Sequence, residues 1–214
     1  IVSNENIFSS GDSFYCDNID MKSIPEGLCN KFNICLIGRK SQSEKSHKID
    51  ISNTLNSSNI FTYLFNIIKT FKDKSSRYLL ISITPYTFFS YLLLIAFRKK
   101  VFLYLRSDGY KEYKYKIGFF GIFIYHLMFQ LVSWKATLIS CRSHLLKGRV
   151  GKIVSPSQLN EKWFQTRKRA NLSKAELLYV GRIKIEKGIF SLLNIHKNLS
   201  IDNHLTIVSS SKSQ

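Results

Sequence analysis

The chain has 214 residues, enough for one ordinary domain and part of another. Hydrophobic residues make up 44% of it and charged residues 21%, which is the composition of a globular protein and excludes intrinsic disorder as its main state. The formal net charge of +18 predicts an acidic partner, which is a nucleic acid, an anionic lipid surface or a phosphorylated substrate.

Cysteine and histidine spacing argues against a zinc site and against a disulfide framework. The four cysteines include no C-x-x-C pair, and the histidines do not cluster. The first twelve residues contain no basic segment followed by an apolar one, so they predict no secretory signal. Together these features predict a protein of the reducing cytoplasm.

Apolar periodicity in the first part of the chain predicts helices that alternate with strands. Residues 21–32 carry apolar side chains at helical spacing, and residues 33–39 form a short apolar run that predicts a buried strand. We expect a polar loop over residues 40–53. Residues 60–71 then carry one apolar helical face, with helix-capping residues at 57–59.

Two longer apolar runs need a decision between a membrane span and a buried element. The uncharged run 78–97 is long enough to cross a membrane, but Pro85 and the β-branched residues before it favour a strand, a turn and a helix. A strand at 101–106 completes a strand–helix–strand unit. The run 117–133 is short for a span and contains His126, so it predicts a core helix or an interfacial helix.

The later part of the chain predicts two more strands and then a change of domain. The strands lie at 136–141 and 151–156, and the polar, basic segment 158–174 has the composition of a linker. We therefore expect a first domain over residues 1–170 and a second one over residues 171–214. Alternation of strands and helices predicts a doubly wound α/β fold for the first domain.

Charge and aromatic residues are concentrated in one stretch. Residues 98–152 contain twelve Lys or Arg side chains and only two acidic ones, interleaved with aromatic residues. This composition is typical of a face that lies on an anionic membrane surface, and it also fits a solvated basic face over an aromatic core. A nucleic-acid-binding protein is a further alternative, but the known nucleic-acid-binding signatures are absent, so no nucleic-acid partner is expected.

The segment after the linker predicts a strand, a basic loop, a helix and a second strand between residues 177 and 210. A glycine loop that meets a helix N-terminus binds anions well, because free backbone N–H groups and the helix dipole point at the ligand. Arg182 and Lys187 would add two cations to the same phosphate-sized space. A solvated loop in which Glu186 caps the helix is an equally good interpretation.

The stretch YVGRIKIEKGIFSLL, residues 179–193, resembles the opening of the nucleotide-binding lobe in retaining family 4 (group 1) glycosyltransferases, which have the GT-B fold. The recurring form there is a strand, V-G-R, a short spacer, E-K-G and a helix. The resemblance implies that Arg182 and Lys187 bind the donor diphosphate and assist catalysis, and that Gly181 and Gly188 let the backbone approach it. It also implies a Rossmann-like N-terminal acceptor lobe and the first βαβ unit of a second Rossmann-like lobe.

The same resemblance implies transfer of a sugar from a nucleoside diphosphate sugar to a glycan or a lipid-linked acceptor in surface polysaccharide biosynthesis. The enzyme would be cytoplasmic, and it would be peripheral to the inner face of the membrane if the basic face binds lipid. On the acceptor side we expect Asp108, His126, Ser10 and Gly11. Asp108 in an Asp-Gly turn and His126 as a core residue are the structural alternatives.

The chain departs from the family pattern in its second lobe. No two glutamates have the E-x7-E spacing that contacts the donor sugar in this family, so the resemblance implies that the sequence ends within that lobe. No D-x-D motif occurs, which argues against a metal-dependent transferase, and no metal or other cofactor is expected. An inactive fragment or a binding subunit is the alternative to an active enzyme.

Overall fold

The computed structural model describes residues 1–155, 165, 175–181, 183, 188–199 and 203–209. The chain divides into two compact units, Ile1–Gln158 and Leu159–Gln214. The boundary predicted from the sequence, between residues 170 and 171, lies outside the described residues.

Unit 1 is a mixed α/β unit built on one large sheet. Its strands are β1 Val2–Ser10, β2 Ser13–Cys16, β3 Cys35–Lys40, β4 His47–Ile49, β5 Asn53–Ser57, β6 Arg77–Ile81, β7 Lys100–Leu105, β8 Thr137–Ser140 and β9 Gly151–Ile153. Its α-helices are α1 Ile19–Cys29, α2 Ile60–Lys69, α3 Pro85–Ala96, α4 Gly109–Ile117 and α5 Phe119–Lys135. Short 3-10 turns follow α2 and β8.

The sheet is parallel in the order β5-β3-β1-β6-β7-β8-β9, and β2 and β4 extend it with antiparallel pairing. The chain moves from β1 to β3 and β5 on one side, then crosses back to β6 and continues outward to β9. This order is that of a doubly wound, Rossmann-like sheet. The predicted α/β class with a mostly parallel sheet is confirmed.

Residues 78–97 form a strand, a turn and a helix, as predicted. Strand β6 ends at Ile81, and Thr84 caps α3 through a reciprocal hydrogen-bond pair with Thr87, in which each side chain accepts from the other residue's backbone N–H. Pro85 occupies the first turn of α3, where its missing N–H removes no helical hydrogen bond. In the part of the chain that the structure describes, no helix is long and apolar enough to cross a membrane.

Two apolar clusters hold the helices against the sheet. Helices α2, α3 and α5 cover one face, where Tyr63, Leu94 and Phe129 are at most 2% exposed. Helix α1 covers the other face through Met21 and its neighbours. Because α2, α3 and α5 lie side by side on one face, their outward side chains form a single outer surface of the unit.

Two expectations about the first sixty residues were incomplete. The start of the chain, for which no strand was predicted, forms the β1–β2 hairpin. The expected polar loop 40–53 contains β4 and reaches the first residue of β5. These strands are short or interrupted by polar residues, so their apolar alternation is weak, and pairing with neighbouring strands determines them.

Unit 2 contains strand β10 Ala175–Val180, helix α6 Ile189–Lys197 and strand β11 Asn203–Val208. The two strands are parallel and in register along their whole length, from Ala175 opposite Asn203 to Val180 opposite Val208. A helix that connects two adjacent parallel strands is a βαβ unit. The strand, helix and strand predicted for this part of the chain are present.

Candidate functional site

A cleft of about 170 Å³ opens at the carboxyl ends of the central strands of unit 1. It lies where β1 and β6 are neighbours but their following connections lead to opposite sides of the sheet. Ligands of open α/β sheets bind at this topological switch point, because the diverging connections leave a crevice there, and we name it the switch-point cleft. The cleft is lined by Ser3, Asn4, Glu5, Asn18, Met21, Ile81, Ser82, Thr84, Arg106, Ser107 and Glu112.

A bulge in β1 forms one wall of the cleft. Between Val2 and Asn6, β1 advances four residues while β3 advances only two, from Ile37 to Arg39. The intervening residues are thereby released from regular pairing with β3 and are turned toward the cleft. Bulges of this kind occur next to functional sites, where they redirect side chains.

Asn4 and Ser3, both in this bulge, are held differently. The Ser3 carbonyl oxygen accepts a 2.7 Å hydrogen bond from the buried Tyr63 hydroxyl, and the Ser3 Oγ accepts one from the Glu5 N–H. The Asn4 Oδ1 atom is buried and has no hydrogen-bond partner among the described residues. A buried polar atom without a partner costs free energy unless a ligand or water satisfies it, so Asn4 is a candidate ligand contact.

The opposite wall begins with a strained residue. Ser82 follows β6 with φ +60°, a left-handed conformation that is unfavourable for a residue other than glycine. Its N–H donates to the Tyr104 carbonyl, and its own carbonyl accepts from the Thr87 hydroxyl at 2.8 Å. Strained backbone held by its surroundings concentrates at functional sites, so Ser82 is a second candidate.

Arg106 brings a fixed positive charge to the cleft at the end of β7. Its Nη1 atom lies 3.2 Å from the Asp20 Oδ2 atom, so α1 and β7 are joined across the cleft by an ion pair. Asn18 caps α1 by accepting from the Asp20 N–H. The pair leaves a planar guanidinium with further donors available to hydroxyl or anionic ligands.

Glu5 is a cleft residue whose carboxyl pKa departs from its usual value. Burial raises the pKa of the Glu5 carboxyl above its usual range, and a hydrogen bond with the Asn18 side chain and the charge of Arg106 partly offset that effect. A carboxyl group with a raised pKa in a cleft is a candidate general acid or base or a hydroxyl-binding group.

We expect Glu5→Gln to stabilise unit 1 at neutral pH. Because the pKa of Glu5 is raised in the folded state, ionisation of Glu5 lowers the free energy of unfolding. This loss of stability is absent below the pKa of Glu5 in the unfolded chain, near 4.5, and complete above its pKa in the folded chain. The variant should therefore raise the Tm at neutral pH and leave it unchanged in acid. Thermal unfolding against pH tests this, and an equal gain at both ends of the range would contradict it.

The acceptor-side residues expected from the sequence do not line this cleft. Asp108 caps α4 by accepting from the Tyr110 N–H and lies 3.6 Å from Lys147. His126 is exposed on α5, where its Nδ1 atom is 2.9 Å from the Tyr110 hydroxyl oxygen. Both side chains therefore have structural partners within the described part of the molecule, and His126 is not the core residue considered as its alternative.

Ser10 and Gly11 also lie away from the cleft, at the turn of the β1–β2 hairpin. Ser10 pairs with Ser13, and Gly11 has φ +55° at the first position of the two-residue turn, where a type II′ turn places glycine. Ser10 contributes to a separate depression of about 230 Å³ together with Phe8 and Tyr15. The glycine-containing loop expected near β1 is thus a hairpin turn.

In unit 2 the structure places two of the four predicted donor-binding residues. Gly181 follows β10, and its N–H donates to the Val208 carbonyl at 3.0 Å. Gly188 begins α6 in a left-handed conformation, with φ +73°. The two cationic residues, Arg182 and Lys187, lie outside the described residues. The predicted loop that contains them lies in the sequence between the end of a parallel strand and a helix N-terminus.

Four candidate residues of the cleft, Asn4, Glu5, Ser82 and Arg106, were not singled out as site residues from the sequence. Arg106 at the end of an apolar strand was the available signal, because carboxyl ends of parallel strands form ligand sites. Within the described ranges, no group of three or more His, Cys, Asp or Glu side chains is arranged to hold a metal ion.

Comparison of the chain with protein-family models, with curated proteins and with solved structures found no match.

Proposed function

We propose that this chain is a sugar-nucleotide-dependent glycosyltransferase with a GT-B-like arrangement, similar to the retaining family 4 enzymes. The observation that carries the proposal is the strand and the helix on either side of the predicted loop of unit 2. This loop begins at Gly181, after a six-residue parallel strand, and ends at Gly188, the N-cap residue of α6. With Arg182 and Lys187 between these glycines, the loop has the composition and the flanking elements of a diphosphate-binding corner.

In the proposed reaction the bond between the anomeric carbon and the diphosphate oxygen of the donor breaks. The acceptor hydroxyl oxygen forms the new bond to the same carbon with retention of configuration, and the hydroxyl proton is released. Negative charge grows on the leaving diphosphate, where Arg182 and Lys187 would neutralise it without a metal ion. Removal of either cation is expected to raise the barrier by roughly 2–4 kcal/mol.

The switch-point cleft of unit 1 is the proposed acceptor site. Its side chains include a guanidinium, a carboxyl group and an amide whose oxygen has no hydrogen-bond partner among the described residues, and these groups suit the many hydroxyls of a glycan. Glu5 is the candidate general base for the acceptor hydroxyl, because its pKa lies above that of an ordinary carboxyl and a more basic carboxylate accepts a proton more readily. A glycan or a lipid-linked sugar is the class of acceptor that we propose.

The proposal is tested by calorimetric titration of the whole chain with UDP, GDP and ADP. All three carry the diphosphate that the predicted loop would contact, and they differ in the base. We therefore expect at least one of them to bind. The double substitution Arg182→Ala/Lys187→Ala should weaken that binding on the order of 100-fold, since two charge-assisted contacts are lost.

The matched control is Lys74→Ala/Lys197→Ala, which removes the same charge from two exposed positions outside the loop. The control should bind as the unchanged chain does. Binding of none of the three nucleotides, or equal weakening by both double variants, would overturn the proposed donor site.

A further inference from the structure

Helix α5 is apolar on both of its long faces. Its inward side chains, including Tyr125, Phe129 and Val132, are buried against the sheet. Its outward side chains recur every three or four residues and form one exposed row, which consists of Phe120, Phe123, Ile124, Leu127, Leu131 and Trp134. A helix that is apolar all round is normally covered all round, so the outer row is suited to an environment other than water.

The apolar row is most prominent where α4 turns into α5 at Gly118. Gly118 has φ +77°, which allows the sharp turn between the two helices. Five exposed apolar or aromatic side chains surround this turn and form the α4–α5 corner: Tyr115, Ile117, Phe119, Phe120 and Phe123. Each is between 53 and 92% exposed, and together they exceed the isolated apolar residues that soluble surfaces normally carry.

Positive charge surrounds this corner. Lys111, Lys114 and Lys116 are all exposed on α4, and Glu112 is the single acidic residue between 109 and 135. At the other end of α5 the Lys135 Nζ atom lies 4.6 Å from the centre of the Trp134 ring. Helices α2, α3 and α5, which form the outer surface, contain no aspartate or glutamate. The apolar surface is therefore bordered by cations.

We propose that the α4–α5 corner docks on an anionic lipid bilayer. The aromatic side chains would enter the boundary between head groups and acyl chains, and the lysines would contact lipid phosphates. Aromatic rings and lysines together are the combination that binds this boundary, because one part seeks the apolar region and the other stays with the head groups.

A lipid surface fits this face better than a second copy of the chain. A symmetric contact would bring two sets of α4 lysines together, and the whole chain already carries a formal charge of +18. Helix α5 begins on the side of the sheet where β7 ends, so the corner and the switch-point cleft share one edge. Docking there would hold the cleft next to the lipid head groups.

Sedimentation with lipid vesicles tests the docking proposal without any nucleotide or sugar. We expect the chain to sediment with vesicles of phosphatidylcholine and phosphatidylglycerol and not with phosphatidylcholine alone. Phe120→Ser/Phe123→Ser should weaken binding to the anionic vesicles on the order of 10-fold, because two inserted rings are lost. The control is Phe32→Ser, which removes a ring of comparable exposure that follows α1 on the other side of the sheet.

The charge contribution is tested by Lys111→Gln/Lys114→Gln/Lys116→Gln, with Lys31→Gln/Lys40→Gln/Lys74→Gln as the variant of equal charge. The first set should weaken binding on the order of 100-fold, and the second set much less.

Equal losses from both lysine sets, or no effect of the phenylalanine substitutions, would overturn the proposal. A vesicle-free dimer that Phe120→Ser/Phe123→Ser abolishes would also overturn it and assign the corner to self-association. Unchanged Tm values for the variants verify that each one is folded.

Discussion

The substitution Gly121→Ala should lower the stability of unit 1 by about 2–3 kcal/mol, because there is no room for a side chain where α4 meets α5. A Cβ atom at Gly121 would overlap the backbone carbonyl group of Tyr113 and lie 3.2 Å from the Ile117 Cβ atom. Backbone atoms of a neighbouring helix cannot rotate away as a flexible side chain can. We therefore expect the two helices to separate locally and the Tm to fall by about 5–10 °C.

The matched control is Gly27→Ala in α1. A Cβ atom there would meet nothing within 4 Å, and Gly27 lies inside a helix where alanine is preferred. The same chemical change should thus stabilise unit 1 by about 0.5–1 kcal/mol. Thermal unfolding of both variants tests this packing. If the two substitutions changed the Tm in the same direction, the described packing of α4 on α5 would be contradicted.

The second large effect is expected at Tyr63, which is fully buried beneath the β1 bulge. Tyr63→Ala should cost about 3–5 kcal/mol, since it removes a large core side chain that also packs edge-on against Tyr86. Tyr63→Phe keeps the ring and removes only the hydrogen bond to the Ser3 carbonyl oxygen, so it should cost about 1–2 kcal/mol.

The control for Tyr63→Phe is Tyr115→Phe, which removes a hydroxyl from an exposed ring. That change should shift stability by less than about 0.5 kcal/mol. Chemical denaturation gives the free energies of unfolding. If Tyr63→Phe proved as neutral as Tyr115→Phe, the hydrogen bond that holds the bulge would not contribute to stability as described.

Local sequence patterns predicted the elements whose apolar periodicity is strong. Residues 78–97 were predicted as a strand and a helix because Pro85 identifies a helix start. The strand–helix–strand unit near the end of the chain was predicted because two short apolar runs flank a segment with apolar residues at helical spacing. Strand β1 could not be predicted in this way. Asn4, Glu5 and Asn6 interrupt its alternation, and only the bulge opposite β3 explains why polar residues occur within a central strand.

The switch-point cleft was less accessible to sequence reasoning than the fold. Its residues come from β1, α1 and the segments after β6 and β7, and no local pattern brings these together. The raised pKa of Glu5 depends on burial, and the left-handed backbone of Ser82 depends on hydrogen bonds to Tyr104 and Thr87. By contrast, the loop with Arg182 and Lys187 was identified from contiguous residues, and its role as a donor site stays a prediction.

The central claim is that a nucleoside diphosphate binds the predicted loop between β10 and α6. Hydrogen exchange measured by mass spectrometry, with and without the nucleotide that binds, tests it most directly, because backbone N–H groups that contact phosphate exchange more slowly. The account predicts that protection is concentrated in peptides that cover residues 181–189. Protection confined to unit 1, or unchanged exchange in this loop at saturating nucleotide, would contradict it.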